Sequence, residues 1–214
     1  MPQMQVPDMV VARLPLYLRT LSHAAREGLT VTSSQEIGTK LGLSPAQIRK
    51  DLSYFGKFGK QGTGYNVARL REQIERILHL DRPWPMALVG AGALGQAVMH
   101  YGGFRERGFY IDCVFDNDPT KIGRRVAGYS VFPAADVASE VPARGIRLAV
   151  VAVPPEAAQE AVDKLVAAGV RAILNYAPIS LIVPPAVRVQ QIDPVGLLQH
   201  MTFYLEPEAW RRKL

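Results

Sequence analysis

From residue 9 to residue 27, apolar side chains return at helical spacing, with Val10, Leu14, Tyr17 or Leu18, Leu21 and Ala25 on one stripe. That period predicts a first helix in which Pro15 sits early or introduces a kink. A second helix is announced by Ser33 with Glu36 three positions later, the reciprocal capping pair. It turns Ile37 and Leu41 inward and stops at Gly42. Ser44 then caps a third helix whose first position is Pro45, where a missing N–H costs nothing. Ile48, Leu52 and Phe55 recur on it at i, i+4 and i+7 and face the core. Two helices joined by so short a glycine-bearing turn have helix-turn-helix spacing. Residues 66–80 form one more amphipathic helix, with Leu70, Ile74, Ile77 and Leu78 apolar, and the two prolines in residues 81–85 make a stiff linker.

Beyond the linker the pattern shortens. Apolar runs at 86–89, 110–115, 148–153, 172–175 and 187–192 read as buried strands, alternating with helical stretches at 93 to about 107 and at 156–168. Strands alternating with helices predict a parallel sheet wound on both faces. The expected fold class is therefore α/β: a winged helix-turn-helix domain over 1–82, a Rossmann-type doubly wound sheet over 83–194, and a C-terminal helix over 195–214. That last stretch carries Leu197, Leu198, Met201, Phe203, Tyr204 and Leu205 on several faces, and one sheet covers only one side of it. It is expected to dock between the domains of its own chain or on a second subunit, by exchange between protomers.

Charge sharpens the division. Residues 1–82 hold 12 lysines and arginines against 7 acidic residues, whereas residues 83–214 hold 13 against 12. The basicity belongs to the helical part, as expected of a module that meets a polyanion. Cys113 is the single cysteine, so neither an intramolecular disulfide nor a Cys-based zinc site is available, and its apolar setting suits a buried thiol. His23, His79, His100 and His200 have no ligand spacing, and no metal is expected. The start of the chain lacks the features of a secretory signal, and no apolar run reaches the roughly 18 residues of a membrane span. A cytoplasmic protein is expected.

Two segments carry candidate chemistry. Opposite the apolar stripe of the third helix stand Ala46, Gln47, Arg49, Lys50, Ser53 and Tyr54, donors and a hydroxylated ring suited to base edges and phosphates of double-stranded DNA. Asp51, at the flank of the stripe, is expected to pair locally. After it come Gly56, Lys57, Gly59, Lys60, Gly62, Gly64 and Tyr65, a basic, glycine-rich run read as a wing whose backbone and lysines approach phosphate. The second segment is Gly90-Ala91-Gly92-Ala93-Leu94-Gly95, placed between a strand and a helix. There the first glycine makes the turn, the second admits a pyrophosphate, and the third lets helix pack on strand. Asp116 follows 21 residues after Gly95 at the end of the next strand, where a carboxylate binds adenosine ribose hydroxyls and repels a 2′-phosphate. NADH or NAD+ is thus expected in preference to the phosphorylated cofactors. Val153 and residues 175–178, with Ala177 and Pro178, are placed on the same ligand edge.

Over essentially its whole length the chain resembles the Rex family, the bacterial NADH-responsive transcriptional repressors. The run RKDLSYFG at 49–56, followed by G-x-G-Y at 62–65, carries most of the resemblance, because GAGALG at 90–95 is shared with many enzymes. The resemblance implies a homodimeric winged-helix repressor with a Rossmann domain and a swapped C-terminal helix, which holds operator DNA when NADH is scarce and releases it on binding NADH. It places Arg49, Lys50, Ser53 and Tyr54 on the reading helix and Gly90, Gly92, Gly95 and Asp116 on the cofactor. Tyr101 and Asp193 become a pair implicated in the ligand-driven rearrangement. The chain departs from some relatives at Pro194, where they carry an aromatic residue. Two other readings remain open: a small NAD-dependent dehydrogenase, with His100 and His200 as candidates for a general acid or base, and a DNA-binding sensor of a CoA-like ligand.

Overall fold

The computed structural model describes residues 6–58 and 64–205. The chain forms two compact units that divide between Arg82 and Pro83. The first contains α1 (Asp8–Arg26), β1 (Val31–Thr32), α2 (Ser34–Leu41), α3 (Pro45–Ser53), β2 (Tyr65–Asn66) and α4 (Val67–Ile77). The capping pair of Ser33 and Glu36 is formed in both directions, Gly42 ends α2 in the left-handed conformation, and Ser44 caps α3. Leu14, Tyr17, Leu21 and Ala24 of α1 pack with Ile37, Ile48, Leu52, Leu70 and Ile74. The stripe of α1 therefore runs through Tyr17 and Ala24, while Leu18 and Ala25 are only partly covered. Pro15 stays inside α1 because it lies on the exposed side, where water can take the carbonyl that loses its N–H partner.

Two expectations are corrected here. Helix α3 ends at Ser53, so Phe55 reaches the core from the turn beyond it. The closing helix starts at Val67 because residues 65–66 pair with β1 instead, Val31 opposite Asn66 and Thr32 opposite Tyr65. Gly64 makes that pairing possible, since a Cβ on it would stand 2.5 Å from the carbonyl oxygen of Thr32.

Asp51 is fully buried, and its pairing is only in part local. Arg13, 38 positions away on α1, donates from Nε to Oδ2 at 2.6 Å and from Nη2 to Oδ1 at 2.8 Å. The Tyr17 hydroxyl donates to Oδ2 at 2.5 Å and the Gln47 amide to Oδ1 at 2.6 Å. Burial alone opposes ionisation of Asp51, but these donors outweigh it and hold the carboxyl below its ordinary range. Burial, with the hydrogen bond to Asp51, pushes the Tyr17 phenol up.

The second unit is a seven-stranded sheet ordered β5-β6-β4-β3-β7-β8-β9. Its strands are β3 (Trp84–Val89), β4 (Phe109–Asp116), β5 (Arg125–Val126), β6 (Tyr129–Pro133), β7 (Leu148–Val151), β8 (Ala172–Asn175) and β9 (Arg188–Gln191). All neighbours are parallel except β5 with β6. Starting from β6, the order is that of a dinucleotide-binding sheet, with its reversal between β3 and β7. Ala87 and Val89 point into one core with α6 (Val137–Ala143) and α7 (Pro155–Ala167), and Met86 and Leu88 into the other with α5 (Ala93–His100). In β4 a bulge beside Ile111 sets Asp112 aside, so that Cys113 and Phe115 share the first core while Ile111 and Val114 share the second. Burial pushes the Cys113 thiol up to about 12, which leaves it a packing residue.

The second unit also departs from the expected pattern. Strand β3 begins at Trp84 and includes Pro85, which is tolerated because β7 pairs with β3 only from Met86 onward, leaving that side of Pro85 without a ladder bond to lose. Helix α5 stops at His100 rather than near residue 107, since Tyr101 is extended and Gly102 and Gly103 follow it. Strands β5 and β6 and helix α6 fill a stretch in which no element was expected. The last helix, α8 (Pro194–Leu205), buries none of its residues. Among the described residues, no helix is long and apolar enough to cross a membrane and no cluster of metal-ligating side chains is present.

Replacing Asp51 by alanine leaves the Arg13 guanidinium partly buried without its partner. The variant is expected to lose about 3 kcal/mol of stability in the N-terminal unit, measured by calorimetric or denaturant unfolding of the full chain. Because the carboxyl of Asp51 is held low in the folded state, its contribution is complete above about pH 5 and is lost as pH falls through the ordinary carboxyl range and the lowered folded value. The alanine variant should lack that acid-side limb.

Candidate nucleic-acid interface and nucleotide cleft

On α3, Ala46, Arg49, Lys50 and Ser53 are exposed, and Tyr54, which caps its C-terminus, is half-buried. The Arg49 guanidinium donates to the Ser34 hydroxyl at 3.0 Å, which ties the outward face of α3 to the start of α2. The Ser53 hydroxyl donates to the Lys50 carbonyl at 2.7 Å and keeps its lone pairs free to accept. Gln47 differs from expectation: its amide faces the buried carboxylate of Asp51, which draws it away from the outward arc. Lys57 is exposed just after the helix. Tyr65 is half-buried against the helical core, and burial raises its phenol while nearby Arg49 opposes the rise. Lys60, Gly59 and Gly62 lie outside the described residues.

In the second unit the three glycines do three different things. Gly90 has φ +101°, and a Cβ there would stand 2.4 Å from the carbonyl oxygen of Ala152, so the turn passes against the end of β7. A Cβ on Gly95 would stand 1.9 Å from the carbonyl oxygen of Gly90, so α5 starts in contact with the turn. A Cβ on Gly92 would meet nothing within 4 Å. Gly92 caps α5 and opens onto a cleft of about 320 Å³. The cleft is lined by Gly90 and Gly92, by Val153 and Pro154, and by the apolar Ala134, Val137 and Ala161. Its polar edge is formed by Asp116, Asn117 and Lys121, and α7 adds the ion pair of Glu160 and Lys164 at 2.6 Å.

Asp116 holds this edge together. Its Oδ2 accepts from the Ala91 N–H at 2.7 Å and its Oδ1 from the Asp118 N–H at 2.8 Å. Lys121 Nζ stands 3.2 Å from Oδ2. Burial works against ionisation of Asp116, yet the two backbone donors and the ammonium keep its carboxyl below the usual range. A backbone opening without a Cβ, the start of a helix and a fixed carboxylate together make a cradle that fits a dinucleotide.

Residues 81–179 match the family model described as a CoA binding domain, and residues 5–53 match a putative DNA-binding protein N-terminus. The curated protein from Roseiflexus sp. named redox-sensing transcriptional repressor Rex is 53% identical over 199 residues, 93% of this chain and 90% of that protein. The chain belongs to the Rex family. A Rex from Chloroflexus aggregans is 52% identical over 95% of this chain and 96% of its own length. Among solved structures, the Rex-family repressor RSP in complex with β-NAD+ and operator DNA superposes with a TM-score of 0.92 at 34% identity, covering 98% of this chain and 97% of that one. RSP with β-NADH matches at 0.85 and 33% identity, over 97% and 98%.

Of the nucleotide residues singled out by sequence, Gly90, Gly92, Asp116 and Val153 line the cleft of this Rex chain. Ala91 lends it only the N–H given to Asp116, and Ala93, Leu94 and Gly95 form the first turn of α5 behind it. Ala177 and Pro178 are not brought to it. Ala177 is buried, its carbonyl taken by the amides of Asn175 at 3.0 Å and Gln191 at 2.6 Å, and Pro178 is exposed. Tyr101 is exposed and rests edge-on against Phe104, whereas Asp193 caps α8 by accepting from the Gly196 N–H at 3.0 Å; they make no hydrogen bond with each other within the chain. Asn117, Lys121, Glu160 and Lys164 are cleft residues that sequence reasoning missed, because no glycine or strand signal marks them. His100 bonds the Gln96 carbonyl on the exposed side of α5, and His200 meets Tyr204 of α8 edge-on, so neither stands in the cleft.

The glycines predict a split in behaviour. Gly95→Ala drives a methyl into the Gly90 carbonyl and should cost about 1–3 kcal/mol, read as a lower thermal transition of the full chain. Gly92→Ala should keep the parent transition while weakening dinucleotide binding measured by calorimetry.

Proposed function

We propose that this protein represses transcription by holding double-stranded operator DNA when NADH is low, and that NADH binding to the Gly90–Gly95 cradle releases the operator. The observation that carries the reading is the pairing, in one Rex chain, of a helix clamped with its basic face outward and a cleft whose second glycine has no Cβ obstacle before it. Arg49, Lys50, Ser53, Tyr54 and Lys57 supply contacts to the DNA, and Lys60 and Tyr65 belong to the wing; Gln47 acts through Asp51. Gly90, Gly92 and Gly95 shape the phosphate site, and Asp116 takes the adenosine ribose. Such a protein works in the cytoplasm, where the operator is.

The sensing rests on charge. NAD+ carries one more positive charge on its nicotinamide than NADH, so the apolar wall beyond the end of β7, at Val153 and Pro154, favours the reduced form, because an unpaired cation is costly to desolvate. DNA and NADH need not touch to oppose each other. It is enough that each prefers a different arrangement of two chains, with the coupling factor equal when seen from either ligand. A homodimer supplies the lever: two reading helices must match half-sites about one helical turn, or a multiple of it, apart. The bare apolar helix α8 supports exchange between protomers as the dimer contact, across which Tyr101 of one chain would meet Asp193 of the other. The dehydrogenase reading is not favoured, since the relatives matched over nearly the full chain are named repressors.

Titration of labelled operator DNA at fixed salt is expected to show tight binding without ligand, release by NADH, weaker release by NAD+ and little by NADPH. Equal DNA affinity in all four conditions would sink the sensor reading. Lys50→Ala should weaken operator binding and flatten the log-log salt dependence by about one unit.

A further inference from the structure

The polar edge of the cleft contains a cation that the glycine cradle and its carboxylate do not account for. Lys121 Nζ lies 3.2 Å from Asp116 Oδ2 and 3.3 Å from Asp118 Oδ2. It is not needed to fix Asp116, which the N–H groups of Ala91 and Asp118 already hold. Asp118 is itself held, its Oδ1 accepting the N–H and hydroxyl of Thr120 at 2.9 and 2.6 Å. The ammonium is thus held in the lining of the cleft by two fixed carboxylates. An ammonium has three protons to donate, and two carboxylates use two of them. The third is available to whatever reaches this edge.

Hydrogen-bond capacity and charge then say what that is. A carboxylate has about four acceptor positions, and Asp116 uses three of them on Ala91, Asp118 and Lys121. A ribose brings two neighbouring hydroxyls, and the position left on Asp116 accepts from only one. The geometry points to Lys121 as the second half of a ribose clamp, donating to one hydroxyl while Asp116 accepts from the other, and as the residue that Asp116 keeps from serving as an anchor for a 2′-phosphate. With both aspartates ionised, the edge of two carboxylates and one ammonium has a net charge of −1 and repels a phosphate. Without the Asp116 charge the edge is neutral and Lys121 becomes a phosphate partner. The inference rests on the nucleotide reading above and names its specificity.

The test uses the full-length protein and direct binding of NADH, NADPH and NADH analogues lacking the adenosine 2′- or 3′-hydroxyl, followed by calorimetry. Lys121→Ala is expected to weaken NADH binding about tenfold, with Lys121→Arg recovering most of it. One of the two deoxy analogues should then bind Lys121→Ala as well as NADH does, a signature that misfolding does not produce. Asp116→Asn should raise the affinity ratio of NADPH to NADH about tenfold, and adding Lys121→Gln should abolish that rise. Parental NADH affinity in Lys121→Ala, or a rise in the ratio that survives Lys121→Gln, overturns the clamp while leaving the sensor reading intact. Failure of the parent protein to bind NADH overturns both.

Discussion

A helix can begin directly beside the end of a parallel strand only where no side chain separates their backbones. In this chain that constraint falls on Gly90 and Gly95, and much of the second unit follows from meeting it. With both side chains absent, the turn after β3 lies against β7 and α5 lies against the turn. The α5 N-terminus is then aimed over the sheet where strand order reverses. The Ala91 N–H is turned toward the end of β4, where Asp116 can accept it. The cleft is therefore a by-product of close packing rather than a cavity left open by loose packing.

In the first unit the comparable constraint is electrostatic. A carboxylate in a helical core requires donors from several directions, and Asp51 receives them from α1 and from its own helix. The same bonds that satisfy the charge fix the rotation of α3 about its axis, because a roll of the helix would swing Asp51 out of the Arg13 fork. Apolar contacts through Ile48 and Leu52 tolerate small rolls much better. A surface that has to present the same side chains to each partner gains from such a lock.

Signals confined to a few consecutive residues were legible in the sequence. Ser33 with Glu36, Ser44 with Pro45, and the three glycines describe local backbone requirements, and the structure contains each of them. The RKDLSYFG run pointed to the Rex family, to which the chain belongs. What escaped depends on distant partners. Nothing near Asp51 indicates Arg13, and nothing near Thr32 indicates that it will pair with Tyr65. Strand β5 is two residues long and carries no period to detect, and the run at 110–115, legible as a strand, does not reveal the bulge at Asp112. Lys121 reads as an ordinary loop lysine until the fold brings it beside Asp116. Ala177 was placed on the ligand edge by strand position alone, but the buried amide of Asn175 folds the following loop back onto the sheet.

Helix α8 exposes Val195, Leu197, Leu198, Met201, Phe203, Tyr204 and Leu205, none of them less than half uncovered. A twelve-residue helix with no buried face does not sustain itself in water. Its order has to come from outside the chain's own core, so the amount of protein present enters the folding equilibrium of this segment as a variable in its own right. At low copy number such a regulator would thin out in two ways at once, as molecules and as competent molecules, and its occupancy of any target would fall more steeply than its abundance.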